Sequence, residues 1–241
     1  MLKKEGRNAR MELEFLGIGS AYNPAYGNTS ACFFLGGTFF LLDCGETVFR
    51  ELILRNRLEK VKKAVILITH FHADHCGSLP TLISYLYSCV GAQVAVYHPD
   101  SERLISFLNV CGAGHETYRM ANLDDMEFTA GVRITPYRVR HSMNMPSYGY
   151  LVESDEGSFF YSGDAAGIPE RVLSRFLSGE IDRLYIDCCP GPSHDHGELA
   201  RHCASIPEDK RDLVFCMHLS GDYADQIRDK GFGIAGQEDA R

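Results

Sequence analysis

Between positions 70 and 75 the chain reads His70-Phe71-His72-Ala73-Asp74-His75. The six residues before it, 64–69 (AVILIT), form an unbroken apolar, β-branched run that predicts a strand buried on both faces. Ligands of open α/β sheets gather at the carboxyl ends of strands, so the motif stands where a site is expected. While the segment stays extended, His70 and His72 project to the same side and both rings can meet one cation. Once the chain turns, Asp74 and His75 are directed elsewhere and can serve a second. Imidazole and carboxylate are donors that zinc and related divalent ions favour. Four side chains cannot complete two metal sites. Three further candidates each follow a predicted strand: His141 after 132–140, Asp164 in Ser162-Gly163-Asp164 after 158–162, and His218 after 213–217. That repeated placement at strand ends is what a multi-ligand site between sheets requires.

The elements that must carry these residues alternate along the chain. Strands are expected at 11–16, 29–35, 38–42, 64–69, 93–97, 126–129, 132–140, 148–153, 158–162, 184–187 and 213–217. Gly36-Gly37, between two of them, reads as a tight hairpin. Helices are expected at 46–57, 79–90, 101–110, 169–177 and 196–206, with a C-terminal helix or turn. Hairpins interleaved with helices point to mixed sheets covered by helices. No internal repeat, linker or charge block marks a boundary, so residues 11–241 read as one domain behind a charged, flexible extension at 1–10. That extension has no apolar core of the signal-peptide kind.

The chain has 241 residues with 24 Lys and Arg against 32 Asp and Glu, a formal charge of −8, and its 45% hydrophobic content excludes a disordered polymer. An acidic protein is a poor non-specific binder of nucleic acid, which makes a long nucleic acid an unexpected partner. No apolar run is long enough to span a membrane. The nine cysteines are odd in number and show no C-x-x-C, which suits free thiols in a reducing cytoplasm better than a disulfide framework. Cys76, next to His75, reads as a small buried thiol. Gly17-x-Gly19 lacks the third glycine of a dinucleotide fingerprint and reads as a tight turn.

Taken in order, the H-x-H-x-D-H motif, His141, Asp164 and His218 resemble the ligand set of the metallo-β-lactamase-fold hydrolase superfamily. Five stretches resemble its ribonuclease Z and cyclic-phosphodiesterase branch. They are Phe15-Leu16-Gly17-Ile18-Gly19-Ser20, Asn28-Thr29-Ser30, Leu41-Leu42-Asp43-Cys44-Gly45, Ser147-Tyr148-Gly149-Tyr150 and Met217-His218-Leu219-Ser220. The resemblance implies an α/β (α+β) fold, a four-layer αββα sandwich of two mixed sheets with a dinuclear site at one edge. It implies that His70, His72 and His141 hold one divalent ion, that Asp74, His75 and His218 hold the other, and that Asp164 bridges them. Zinc is the first expectation for the metal, with manganese or iron as alternatives. Relatives are often homodimers, an assembly this chain would also admit.

The chemistry that follows is attack by a metal-bridging hydroxide, with Asp74 ligating metal and orienting the nucleophile. A leaving alkoxide needs a proton donor. His196 in Ser193-His194-Asp195-His196-Gly197 is the candidate, resembling the extra histidine of ribonuclease Z-like enzymes; His194 competes, and an exposed histidine or helix cap is the ordinary role for either. The chain departs from ribonuclease Z in two ways. Asp187-Cys188-Cys189-Pro190 stands where that family has His-Glu-Ala-Thr, so the usual glutamate partner of the acid is missing; either Asp187 replaces it or the proton relay differs. Nothing resembles the arm that grips transfer RNA. Arg138 and Arg140 read as a solvated sheet face, with phosphate contact as the alternative. The expected activity is hydrolysis of a small anionic phosphodiester, a cyclic nucleotide or cyclic sugar phosphate. An ester, thioester or lactone hydrolase of the same fold is the alternative, ahead of a metal-binding sensor or an RNA-processing nuclease. Residues 142–148 follow a ligand and are candidates to line the pocket. His98, His115 and His202 read as surface or satisfied core residues.

Overall fold

Two glycines in a row let the chain reverse tightly. Gly36 and Gly37 have φ of +54° and +77°, the left-handed pair that a type I′ hairpin turn needs. They join β2 (Ser30–Leu35) to β3 (Thr38–Leu42) antiparallel, with Leu35 opposite Thr38. The structure, a computed structural model, describes residues 11, 13–125 and 129–237. β1 (Glu14–Gly17) pairs antiparallel with β2, while β4 (Lys63–Leu67), β5 (Gln93–Tyr97) and β6 (Arg119–Met120) extend the sheet in parallel from β3. The second sheet repeats the plan. β7 (Arg133–Val139), β8 (Ser147–Ser154) and β9 (Gly157–Tyr161) run antiparallel, and β10 (Arg183–Asp187), β11 (Val214–Met217) and β12 (Gly233–Ile234) continue in parallel. Each sheet therefore has two antiparallel pairings followed by three parallel ones. This repeat of topology leaves no repeat in the sequence.

The apolar run at 64–69 is explained by burial on two sides. Val65 and Leu67 of β4 face the second sheet, packing with Phe40, Tyr150, Phe159 and Tyr161. Ala64 and Ile66 face outward into α1 (Val48–Leu54), α3 (Leu79–Tyr85) and α4 (Ser101–Val110), through Val48, Leu52, Leu82 and Leu108. The second sheet is covered likewise, Leu184, Ile186 and Val214 packing on Val172 and Phe176 of α5 (Glu170–Leu177), Leu199 of α6 (Leu199–Ser205) and Ile227 of α7 (Ala224–Arg228). Three apolar interfaces between four layers make the expected αββα sandwich of the metallo-β-lactamase fold, each large buried side chain contributing roughly 1.5–3 kcal/mol.

Several expectations need adjustment. The helix expected over 79–90 is α-helical only to Tyr85 and then widens into one π-helical turn, Leu86–Val90, ended by Gly91 at φ +73°. The helix expected from 196 begins at Leu199, because Ser193 Oγ accepts the backbone N–H groups of Asp195 and His196 (3.3 and 3.0 Å) and Cys189 N donates to Gly197 O (2.7 Å). These bonds hold His196 in a loop. The two-residue strands β6 and β12 were not anticipated, since so short a run shows no periodicity. The strand expected at 126–129 falls largely outside the described residues, and its last residue, Thr129, lies in a turn. The extension at 1–10 also lies outside them. No helix among the described residues is long and apolar enough to cross a membrane.

Gly45 ties the fold to the motif. A Cβ there would overlap the Asp74 carbonyl oxygen and lie 2.7 Å from Asn28 Cβ. Both neighbours are fixed, Asn28 by paired hydrogen bonds with Thr47 of 2.8 Å each. Gly45→Ala is expected to lower stability by about 1–3 kcal/mol, seen as a lower melting temperature, and to weaken metal binding because the backbone of Asp74 must move.

Candidate metal centre

The strands bring seven candidates from both sheets to one edge. β4 ends just before His70, whose ring is fully buried. One turn of helix, α2 (Ala73–Cys76), follows His72 and turns Asp74 and His75 away from the strand direction. His141 follows β7, Asp164 follows β9 and His218 follows β11. Two groups result: His70, His72, His141 and Asp164, and Asp74, His75, Asp164 and His218, with the donor atoms of each within 4.8 Å of one another. Asp164 belongs to both. Its Oδ2 lies 3.7 Å from His70 Nε2 and 3.6 Å from His141 Nε2, and its Oδ1 lies 3.0 Å from His75 Nε2 and 3.2 Å from His218 Nε2. One carboxylate oxygen thus faces each group.

The hydrogen bonds around the rings show whether these donors suit cations. Thr69 Oγ1 donates to Asp43 Oδ2 (2.9 Å), so at its 3.0 Å contact with His70 Nδ1 it accepts. His141 Nδ1 donates to Asp195 O (3.0 Å), and His75 Nδ1 donates to Asp43 Oδ2 (2.8 Å). When neutral, all three rings therefore present an Nε2 lone pair to the interior. His70 Nε2 and His141 Nε2 converge on His72 Nδ1 at 3.0 and 3.2 Å, close to the spacing of about 3.3 Å between nitrogens around a tetrahedral zinc ion. In the other group, His75 Nε2 and Asp164 Oδ1 are buried and neither makes a hydrogen bond. At 3.0 Å apart, the two atoms need positive charge between them, a proton or a metal ion. The residues fit two divalent ions.

The electrostatics agree. Burial disfavours charge on His75, but Asp164 and Asp43 outweigh it and raise its pKa well above the usual imidazole range. Burial likewise opposes charge on His218, yet Asp164, Asp187 and Asp74 lift it to about 10. Burial opposes ionisation of Asp74 and Asp164, and the surrounding imidazoles outweigh it, holding both carboxyl groups well below their ordinary range. The site attracts positive charge. His70, by contrast, is kept neutral by burial and by the charge on His75.

Asp43 was quoted above only as part of a resemblance, and its role emerges here. It sits at φ +62°, directly after β3 and beside β4. Its fully buried carboxylate accepts the Thr69 N–H (2.7 Å), the Thr69 hydroxyl, the Tyr161 hydroxyl (3.3 Å) and the His75 ring. A carboxylate behind a ligating histidine fixes its tautomer and orientation. The signal was its position at the end of a strand adjacent to the motif strand.

The centre opens into a cavity of about 600 Å³ lined by His72, Asp74, His141, Asp164, Asp187, His196 and His218, among others. A second cavity, of about 700 Å³, is lined by Lys63, Gln93 and Arg119 at the opposite, amino-terminal ends of the parallel strands, away from every candidate ligand. His196 Nδ1 donates to Asp187 Oδ2 at 2.7 Å, and its ring centroid is 5.1 Å from those of His141 and His218. The bond to Asp187 raises the His196 pKa against the effect of burial. His194 is exposed and does not line the cavity. Asp187 thus stands where the missing glutamate partner was expected, and its Oδ1 also approaches His218 Nδ1 at 3.6 Å.

Other expectations fall out as follows. No residue of 142–148 lines the cavity. Met145 Sδ instead accepts the Phe71 N–H at 3.0 Å, and Met143 is fully exposed. Arg138 lies over the Tyr148 ring, 5.4 Å from its centroid, and Arg140 is solvated. Cys76 is a buried free thiol pushed up to about 12 by burial. His202 is buried and donates to Asp187 O (3.1 Å), and His115 is exposed. His98 is buried and accepts the Asp100 N–H (3.0 Å), but its Nε2 makes no hydrogen bond.

Comparison with known proteins completes the picture. The β-lactamase superfamily domain family matches residues 38–190. The chain belongs to that family. It is 25% identical over 231 residues to the anti-Pycsar protein Apyc1 of Paenibacillus harenae, covering 90% of this chain and 93% of that protein. It is 32% identical over 151 residues to the ribonuclease Z of Metallosphaera sedula, covering 61% of this chain and 50% of that enzyme. Among solved structures, the metallo-β-lactamase fold protein YhfI of Bacillus subtilis superposes with a TM-score of 0.70 over 91% of each chain, at 17% identity. A member of this family with this cluster of histidines and aspartates is a metal-dependent hydrolase.

Removing the carboxylate behind His75 leaves the donors in place but frees the ring. Asp43→Asn is expected to weaken metal binding about 10–100-fold, measured by competition with a chromogenic chelator, while circular dichroism stays that of the parent.

Proposed function

We propose that the protein is a phosphodiesterase acting on a small phosphodiester, a cyclic nucleotide or cyclic sugar phosphate, at two metal ions, zinc by default. The observation that carries this is the arrangement around Asp164. One carboxylate oxygen faces each donor group, and the same cavity holds His196, braced by Asp187 and with its pKa raised by that bond. His70, His72 and His141 would hold one ion, Asp74, His75 and His218 the other, and Asp164 would serve both. When bound, the ions lower the pKa of water toward neutrality and neutralise charge on phosphoryl oxygens.

The protein's own residues do the rest. Asp74, held ionised by His218 and His75, keeps its free lone pairs toward the cavity and orients the nucleophile. His196 gives its proton to the departing alkoxide; its bond to Asp187 raises its pKa and holds the ring in place. A cavity of about 600 Å³ suits a substrate the size of a mononucleotide. The charge of −8 disfavours a long polyanion. Similarity over nine-tenths of the chain to proteins named anti-Pycsar, and over a shorter stretch to a ribonuclease, supports phosphodiester cleavage.

Two results are expected. Asp74→Ala and His75→Ala abolish hydrolysis of bis(p-nitrophenyl) phosphate and lower the bound metal measured by atomic emission; full activity in either removes the proposed roles. His196→Ala lowers kcat by about 10²–10⁴ for substrates with an alkoxide leaving group, and much less for p-nitrophenyl esters, whose leaving group departs without a proton. The reaction class is decided by assaying bis(p-nitrophenyl) phosphate, p-nitrophenyl acetate and a homoserine lactone side by side. A preference for the lactone or ester of more than about tenfold, roughly 1.4 kcal/mol in barrier, overturns the phosphodiesterase reading.

A further inference from the structure

Three residues of the same cavity wall take no part in the chemistry above: Ser20, Tyr22 and Glu46. Ser20 is 8% exposed, and its hydroxyl has no hydrogen-bond partner. Tyr22 is 95% exposed. Glu46 is exposed and pairs with no described residue.

The loop that carries two of them is fixed. Ser20 N donates to Leu219 O (3.2 Å), Asn23 Nδ2 donates to Leu219 O (2.9 Å), and Asn23 N donates back to Ser20 O (3.0 Å). Gly19 N donates to Gly27 O (2.8 Å), closing the loop at its base. Leu219 follows the candidate ligand His218, so the loop is tied to the metal centre itself. The backbone on either side of Tyr22 is thus fixed beside the cavity, and the Tyr22 side chain stands exposed at the cavity wall. A lone exposed aromatic side chain is ordinary on a protein surface. One carried on a braced backbone at a cavity wall, beside a buried hydroxyl without a partner and an unpaired carboxylate, offers a binding surface.

We infer that Ser20, Tyr22 and Glu46 form a subsite for the organic group of the substrate, and that this group is a heteroaromatic ring with N–H donors on its edge, such as a nucleobase. The inference rests on the phosphodiesterase reading and selects the nucleotide over the bare sugar phosphate. The face of Tyr22 stacks on the ring. Glu46 is an acceptor only, so it takes the exocyclic amine or ring N–H and repels any second phosphate. Ser20 supplies the one group that either donates or accepts. The substrate therefore ends in this subsite, which also disfavours a continuing polynucleotide.

The test compares three cyclic phosphodiesters, each as the 2′,3′ and the 3′,5′ isomer: the cyclic phosphate of adenosine, that of purine riboside, which lacks the amine, and that of methyl riboside, which lacks the ring. The metal-loaded wild-type enzyme is expected to prefer adenosine over methyl riboside by at least about tenfold in kcat/KM. Tyr22→Ala is expected to raise KM for the adenosine substrate about tenfold while kcat, and kcat/KM for methyl riboside, stay within about twofold. Tyr22→Phe retains the parent KM. Glu46→Ala removes the preference for adenosine over purine riboside. If wild-type protein cleaves the nucleotide and methyl riboside equally, or if Tyr22→Ala lowers both in proportion, the subsite is overturned and the phosphodiesterase reading stands. If no phosphodiester is cleaved, bis(p-nitrophenyl) phosphate included, both are overturned.

Discussion

A buried carboxylate shared by four imidazoles governs this structure. Asp164 is 2% exposed, and taking a charged carboxylate out of water costs several kcal/mol unless positive charge is brought to it. His70, His75, His141 and His218 surround it, and the protein meets the cost by gathering cationic charge there. Protons on His75 and His218 are one form of that charge. Divalent ions are the other, and the orientation of the Nε2 lone pairs favours them. The shared oxygens of Asp164 make the two donor groups a single unit, so neither can be built without the other.

This constraint explains the architecture around it. The first sheet and the helix turn after it deliver His70, His72, Asp74 and His75, and the second sheet delivers His141, Asp164, Asp187 and His218. Their separation is set by the apolar layer between the sheets, and polar bonds across that layer pin the register near the centre. Tyr150 of the second sheet donates to Ile68 O at 2.7 Å, Tyr148 N donates to Thr69 O at 3.0 Å, and Tyr161 reaches Asp43. The first two bonds join β8, the hairpin partner of β9, to the end of the motif strand, and the third joins β9, which leads to Asp164, to the end of the neighbouring β3. Tyrosine serves here because its ring fills the apolar layer while its hydroxyl reaches the polar edge. The same economy appears at Asp187, which receives the Ala165 N–H (3.0 Å) one residue past Asp164 and also holds His196. One side chain thus braces both His196 and the backbone next to Asp164.

Much of this was legible in the sequence because the chemistry is local. His70, His72, Asp74 and His75 are spaced by the geometry of a strand entering a turn, and His141, Asp164 and His218 each stand where a predicted strand stops. The continuous apolar run at 64–69 announced a strand covered on both faces. What was not legible depends on contacts between distant segments. Asp43 is an ordinary strand-end aspartate until the neighbouring strand brings Thr69 and His75 to it. The choice between His194 and His196 depends on Ser193 and Cys189 holding the loop short of the helix. Tyr22 and Glu46 carry no motif at all, and only the cavity unites them. The pocket role expected of residues 142–148 failed because Met145 is drawn to the Phe71 backbone instead.

The most direct measurement is a titration of a divalent metal, zinc first, into chelator-treated protein, with bis(p-nitrophenyl) phosphate hydrolysis and bound metal followed together. The expected result is no turnover in the stripped protein and activity that reaches its plateau at two ions per chain. Activity equal to the parent in the stripped protein, or a plateau reached at one ion with no second bound, would contradict a dinuclear phosphodiesterase built around Asp164.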